Sequence, residues 1–374
     1  MDNCLFIFLI VTIVLLLATR VYFFRYKSKK NRMPDGHTDN SPADSQKDEN
    51  GSDSNRITAV TAQFDENRIK TIAAPGKSGE VLAEISHVNK SYGGKTVVQD
   101  ISFTLEKGEV LGLVGPNGAG KTTTIRMLMD IVKPDSGEIS IFGCPLNEQA
   151  KNRIGYLPEE RGLYRKMKVS DNLIYLARLK NVPSNVARER AEKLLSEVDM
   201  SPHKGKKIGE LSRGMGQIIQ FLVTIAHDPS LIVLDEPFAG LDPVNRMLLK
   251  NIIIELKKQS KTVILSTHMM NEVEEMCDRV LMINHGHVVL YGNLSDIKQR
   301  FRNNSVFIQC DGDVDAIEGV NGRKDHGKYI ELFLDGQTTS QQVLNQLVSK
   351  SIRIDRFEVS TPSLNEIFIQ VVKQ

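Results

Sequence analysis

Apolar positions are spread unevenly along the chain. The first run, Cys4 to Phe24, is almost wholly apolar, with Arg20 its only charge. About 20 such residues make a helix roughly 30 Å long, the thickness of a bilayer core. Basic residues gather at its end: Arg20, Arg25, Lys27, Lys29, Lys30 and Arg32. By the positive-inside rule the N-terminus then lies outside and everything after the run lies in the cytoplasm. A cleaved signal peptide fits less well, because the chain starts Met1-Asp2-Asn3, with no basic residue ahead of the run and no small-x-small site after it. Residues 1–33 are therefore predicted to be a single-pass transmembrane anchor with a basic juxtamembrane segment. From Pro34 to Arg56 the chain is polar, with Ala43 its only aliphatic residue, and cannot bury enough surface to order itself. Residues 34–79 read as a flexible linker, with a root-mean-square span of about 35–40 Å.

Beyond residue 80 the pattern changes to that of a globular protein. Val110–Val114, Leu231–Leu234 and Thr262–Thr267 are short, mainly apolar runs, as expected of buried parallel strands. Val169–Lys180 and Val186–Val198 repeat with helical period and carry many charges. Val280–Ile283 and Val288–Tyr291 flank His285-Gly286-His287 and predict a hairpin. Leu294–Phe301 predicts a helix. Val306–Cys310, Tyr329–Leu334, Thr339–Ser349, Ile352–Val359 and Leu364–Val371 then read as strand, strand, helix, strand, helix. That is a small α+β appendage, assigned to 304–374.

Composition narrows the class. A length of 374 residues suggests two or three domains, and 40% hydrophobic with 25% charged residues excludes a polytopic membrane protein. The net charge of +2 creates no field for nucleic acid, so no nucleic-acid partner is expected. Cys4, Cys144, Cys277 and Cys310 lie far apart, which indicates neither a zinc site nor a disulfide framework.

The chemistry begins where the strand Val110–Val114 runs into Gly115-Pro116-Asn117-Gly118-Ala119-Gly120-Lys121-Thr122-Thr123 and then a helix. This is GxxxxGK[ST] in its strand–loop–helix context: glycines let backbone N–H groups wrap phosphates, and the helix N-terminus adds positive charge. Lys121 is placed to neutralise the β/γ-phosphates and Thr122 to offer its hydroxyl to Mg²⁺. GTPases, small-molecule kinases and ATPases all share this loop. The strand Leu231–Leu234 ends in Asp235 and Glu236, acids suited respectively to Mg²⁺ and to a water in line with the γ-phosphate. The strand Thr262–Thr267 ends at His268. A further segment, Leu211-Ser212-Arg213-Gly214-Met215-Gly216-Gln217, opens an apolar helix and offers a second anion site at Ser212 and Gly214.

Taken in order, these segments resemble the ATP-binding subunit of an ABC transporter over about residues 80–300. Tyr92 matches the adenine-stacking aromatic, GPNGAGKTT the Walker A loop, LSRGMGQ the signature, and LIVLDEP Walker B with its catalytic glutamate. Ala239-Gly240-Leu241-Asp242-Pro243 matches the D-loop and His268 the switch histidine. The resemblance implies an α/β P-loop NTPase domain over 80–303, with antiparallel β and helical subdomains. It also implies a homodimer or heterodimer that sandwiches ATP and Mg²⁺, and a separate multi-span permease in the plasma (inner) membrane. In that dimer Ser212, Gly214 and Asp242 meet nucleotide. The chain departs from the common pattern at Arg213 and Met215, at Ala239, and at Glu159, which stands where the family usually carries Gln. Ionised Glu159 only accepts hydrogen bonds, so it needs Mg²⁺ or a cation such as Arg161 beside phosphate. The run IGYLPEERGLY resembles a subgroup of exporters of sodium, drugs or peptides, which implies the ATPase subunit of an exporter. A membrane-tethered ATPase that remodels or regulates a partner protein is the alternative.

Overall fold

The computed structural model describes residues 79–373, apart from Arg161, Asn303, Asp313, Asp315 and Ala316. The predicted span 4–24, its basic flank and the linker up to Ser78 lie outside the described residues. Among the described residues no helix is long and apolar enough to cross a membrane. The described residues belong to one compact unit.

Its centre is a six-stranded sheet. The strands are β3 (Val110–Val114), β5 (Ile154–Leu157), β6 (Leu231–Asp235), β7 (Thr262–Thr267), β8 (Arg279–Asn284) and β9 (His287–Asn293), in spatial order β5-β6-β7-β3-β8-β9. All pairs are parallel except the edge hairpin β8–β9. Strands β3, β6 and β7 are buried along their whole length, which is why they read as continuous apolar runs. Successive side chains still alternate between faces. Val110, Val114, Ile232 and Leu234 join one core with the helices, whereas Leu111, Leu113, Leu231 and Val233 join a second core on the opposite face.

That second core is closed by the helix α1 (Lys121–Leu128) and an antiparallel sheet. The sheet comprises β1 (Val81–Tyr92), β2 (Lys95–Glu106) and β4 (Ser136–Ile141), in order β2-β1-β4. After the short helix α2 (Glu148–Lys151), the first core takes in α3 (Val169–Leu179), α4 (Ser184–Glu197), α5 (Arg213–Ile225), α6 (Pro243–Lys258), α7 (Met270–Met276) and α8 (Leu294–Arg300). The predicted histidine hairpin is present: His285 and Gly286 both have positive φ, 48° and 85°, as a tight two-residue turn requires.

The C-terminal part is a four-stranded antiparallel sheet of β10 (Ser305–Asp311), β11 (Val320–Asp325), β12 (Ile330–Leu334) and β13 (Arg353–Val359), in order β11-β12-β10-β13. The helix α9 (Ser340–Ser349) packs Val343 and Leu347 against it. Strand β11, Val-Asn-Gly-Arg-Lys-Asp, was not predicted: it is an exposed edge strand without an apolar face. The last helix, α10 (Leu364–Lys373), leaves this small core, and its Leu364 and Ile367 are fully buried in the main one.

Candidate active site

The loop between β3 and α1 passes through Gly120, the α1 N-cap. Gly120 has φ +108°, and a Cβ there would sit 2.8 Å from the Val97 carbonyl oxygen, so only glycine fits. The loop forms one wall of a cleft of about 330 Å³ lined by Asn117, Gly118, Ala119, Gly120, Lys121, Thr122 and Thr123. The opposite side is supplied by Val97, Glu159, Glu236, Ala239 and His268. Segments far apart in sequence thus converge here because β3, β6 and β7 are adjacent and β5 flanks them.

Lys121 is 6% exposed. Its Nζ donates to the carbonyls of Gly115 (2.8 Å) and Pro116 (3.2 Å) and lies 3.9 Å from Glu236 Oε1. Burial pulls its ammonium below the usual lysine range, while Glu236, Asp235 and Glu159 pull the other way. Charge on a phosphate would replace the loop carbonyls as its partner. Glu236 follows the last β6 residue with φ +49°, which turns its side chain off the strand and into the cleft. His268 Nδ1 is 3.0 Å from both Glu236 oxygens. An ionised carboxylate only accepts, so Nδ1 carries the proton. The next residue, Pro237, has its carbonyl held by the buried Gln217 amide of α5 at 3.2 Å.

Asp235 lies beneath the cleft rather than in its wall. It is 0% exposed, and both its carboxylate oxygens are buried without hydrogen-bond partners, as is Ser266 Oγ on the register-paired residue of β7. Buried unpaired acceptors of this kind fit a cation. Among the described residues no group of three or more His, Cys, Asp and Glu forms a metal cage. The donors at hand are hard oxygens: Asp235, the Thr122 hydroxyl and Glu159. This set suits Mg²⁺ completed by phosphate oxygens and water. Arg161, the candidate counter-cation for Glu159, lies outside the described residues.

Besides Asp235, the lining leaves out Gly115 and Pro116 at the start of the loop and, elsewhere in the fold, Tyr92, Ser212, Gly214 and Asp242. Tyr92 ends β1, 47% exposed, with Lys90 Nζ 5.6 Å from its ring centre. Ser212 N-caps α5, accepting from Met215 N at 3.2 Å. Asp242 N-caps α6, accepting from Val244 N and Asn245 N at 3.0 Å each and from Asn245 Nδ2 at 2.6 Å. These bonds, the Asn245 N–H first, hold its carboxyl below the usual range. Gly214 lies beside Asn245 and Asp242, and the Arg213 guanidinium lies over Gly240, whose φ is +71°. Signature and D-loop segments therefore form one contiguous edge. Gln217, the last letter of LSRGMGQ, has a structural task that the motif does not express. Its signal is a polar residue at a buried position of a mainly apolar helix, a signal it shares with Gln220 and Thr224.

Known proteins carry the same pattern. The family model described as "ABC transporter" matches residues 98–239, and that described as "ATP-binding protein DrrA1-3-like, C-terminal domain" matches 292–372. The uncharacterized ABC transporter ATP-binding protein YhaQ of Bacillus subtilis (strain 168) is 40% identical over 294 residues, 78% of this chain and 98% of YhaQ. The linearmycin resistance ATP-binding protein LnrL of the same organism is 35% identical over 243 residues, 64% of this chain and 76% of LnrL. A solved ATP-binding subunit of an ABC transporter superposes with a TM-score of 0.56 at 30% identity, covering 59% of this chain and 93% of that one.

Proposed function

The chain belongs to the ATP-binding, ATP-hydrolysing subunits of ABC transporters, and from that premise we propose that it powers an exporter through a separate multi-span permease. The observation that carries the ATPase assignment to particular residues is the convergence of Lys121, Glu159, Glu236 and His268 on one cleft. The loop 115–123 binds the phosphates through the backbone N–H groups of its residues other than Pro116, and Lys121 neutralises their charge. Thr122, Asp235 and Glu159 are the residues that would hold Mg²⁺, which when bound would offset phosphate charge. Glu236 orients and deprotonates the attacking water, and His268 holds Glu236 in place through Nδ1–H. The water oxygen bonds to the γ-phosphorus in line with the breaking bond to the β,γ-bridging oxygen, so that ADP is the leaving group and inorganic phosphate the second product.

The edge formed by Ser212, Gly214 and Asp242 stands apart from the chain's own cleft. Two copies, or this chain and a relative, packed head to tail would place that edge over the partner's ATP, with Tyr92 stacking on adenine. The export reading is supported by the likeness to the Nod factor export ATP-binding protein I of Burkholderia orbicola (strain AU 1054), 37% identical over 212 residues, and by the IGYLPEERGLY run; sodium, drugs or peptides are the cargo classes it admits. The apolar segment 4–24 anchors the subunit in the plasma (inner) membrane, with the ATPase domain cytoplasmic and 34–79 as tether. The accessory domain 304–374 contributes dimer contact or regulation.

Two experiments test this. Glu236→Gln is expected to accumulate an ATP-bound dimer on size-exclusion chromatography with MgATP; normal turnover in that variant would remove Glu236 from the chemistry. Mild solubilisation of the tagged full-length chain is expected to bring down a polytopic permease in stoichiometric amount. A soluble or single-span protein in its place would replace transport by action on that protein.

A further inference from the structure

Helix α5 buries two glutamines at i and i+3: Gln217 is 7% exposed and Gln220 is 3% exposed. Gln220 Nε2 donates to the Pro158 carbonyl at 3.2 Å and to the Glu160 carbonyl at 3.1 Å. These are the carbonyls of the residues before and after Glu159. The amide orientation follows from the chemistry, since carbonyls only accept, and it leaves Gln220 Oε1 buried with no partner. An orphaned amide oxygen in a core destabilises it, so the helix gains nothing from glutamine as a packing residue. What the side chain does is tie both flanks of one acidic residue of the cleft to the helix that also holds Pro237 beside Glu236.

We propose that Gln220 is a positioning residue for Glu159: by clamping the carbonyls of Pro158 and Glu160 it presents the Glu159 carboxylate to the metal side of the phosphate cleft. The proposal rests on the ATP–Mg²⁺ reading of that cleft. Gln220 touches neither nucleotide nor metal. Its effect on metal affinity is exerted through Glu159, and it disappears when Glu159 can no longer act as a charged ligand.

The test uses the full-length chain with ATPγS and Mn²⁺ as probe, Mn²⁺ binding being titrated by electron paramagnetic resonance. Hydrogen exchange over 157–162 is followed in the nucleotide-free protein. Gln220→Ala is expected to speed exchange in that peptide while 231–235 stays unchanged, and to weaken Mn²⁺ binding about tenfold, as loss of an outer-shell partner does. Glu159→Gln is expected to weaken Mn²⁺ binding comparably, and the double variant to show no additional loss. Gln220→Met, closer in volume, gives the same comparison if the alanine lowers stability. Faster exchange with unchanged Mn²⁺ affinity, no effect of Glu159→Gln, or additive losses in the double variant each overturn the proposal. Failure of the underlying reading looks different: Lys121→Ala would then leave ATPγS binding and the Mn²⁺ signal unchanged.

Discussion

Replacing Asp235 with asparagine is expected to have opposite effects on the nucleotide-free and nucleotide-bound protein. The wild-type carboxylate is fully buried, and neither oxygen has a hydrogen-bond partner. A buried unpaired ion costs several kcal/mol, and a buried unsatisfied polar group about 1–3 kcal/mol. The charge of Lys121 offsets part of this. Asparagine keeps the shape and removes the charge. We expect a net stabilisation of about 2 kcal/mol without nucleotide, and a melting temperature higher by about 4 °C. With MgATP at 100 times its dissociation constant the wild type gains about 2.7 kcal/mol, and the variant loses most of that gain with its metal ligand. The chain has no tryptophan, so melting is followed by calorimetry or far-ultraviolet circular dichroism. A variant that melts below wild type without nucleotide, yet keeps the full MgATP shift, would refute the assignment of those oxygens to a cation.

His268→Ala is expected to lower kcat by about 10²-fold or more with little change in ATP affinity, since it frees Glu236 rather than the phosphates; a rise in KM alone would contradict this. Glu109 is 8% exposed, and burial lifts its carboxyl to about 7 despite Arg279. Its folded-state pKa is raised, so its contribution is fully present below the unfolded value of 4.5 and is lost as pH rises through about 7, a fall of about 3 kcal/mol. Glu109→Gln should flatten the stability–pH curve between 4.5 and 7, and an unaltered slope there would count against the raised value. Phe221→Ala, at a fully buried position of α5, is expected to cost about 3–5 kcal/mol, read from denaturant midpoints.

The sequence made some parts of this structure legible and left others silent, for physical reasons. Strands β3, β6 and β7 are buried on both faces, so they announce themselves as apolar runs, and each ends at a chemically marked residue: Gly115, Asp235 or His268. Their order in the sheet was not readable, because β7 inserts between β6 and β3 through pairings no local pattern encodes. Strand β11 was invisible because Val320 is its only large apolar residue, which leaves no period to read. Gln217 and Gln220 look alike in the sequence, and only the carbonyls opposite them separate their tasks. Ser212, Gly214 and Asp242 read as nucleotide residues, yet the fold puts them outside the cleft, where Ser212 and Asp242 cap helices of their own chain.

The path of α10 bears on how this protein can be cut. Its first backbone N–H bonds Glu274 of α7, and Lys298 of α8 pairs with the same carboxylate. Leu364 and Ile367 are fully buried against the ATPase core, with Phe368 and Val371 beside them. The appendage thus ends by returning to the helix that follows His268. A boundary drawn at residue 303 looks like a module border along the chain and is not one in space. Trimming there would strip the cover from α7 and leave an apolar surface on the helix that follows His268. A truncated expression clone should therefore aggregate, and a chimera that exchanges this region needs to carry the matching surface of α7 with it.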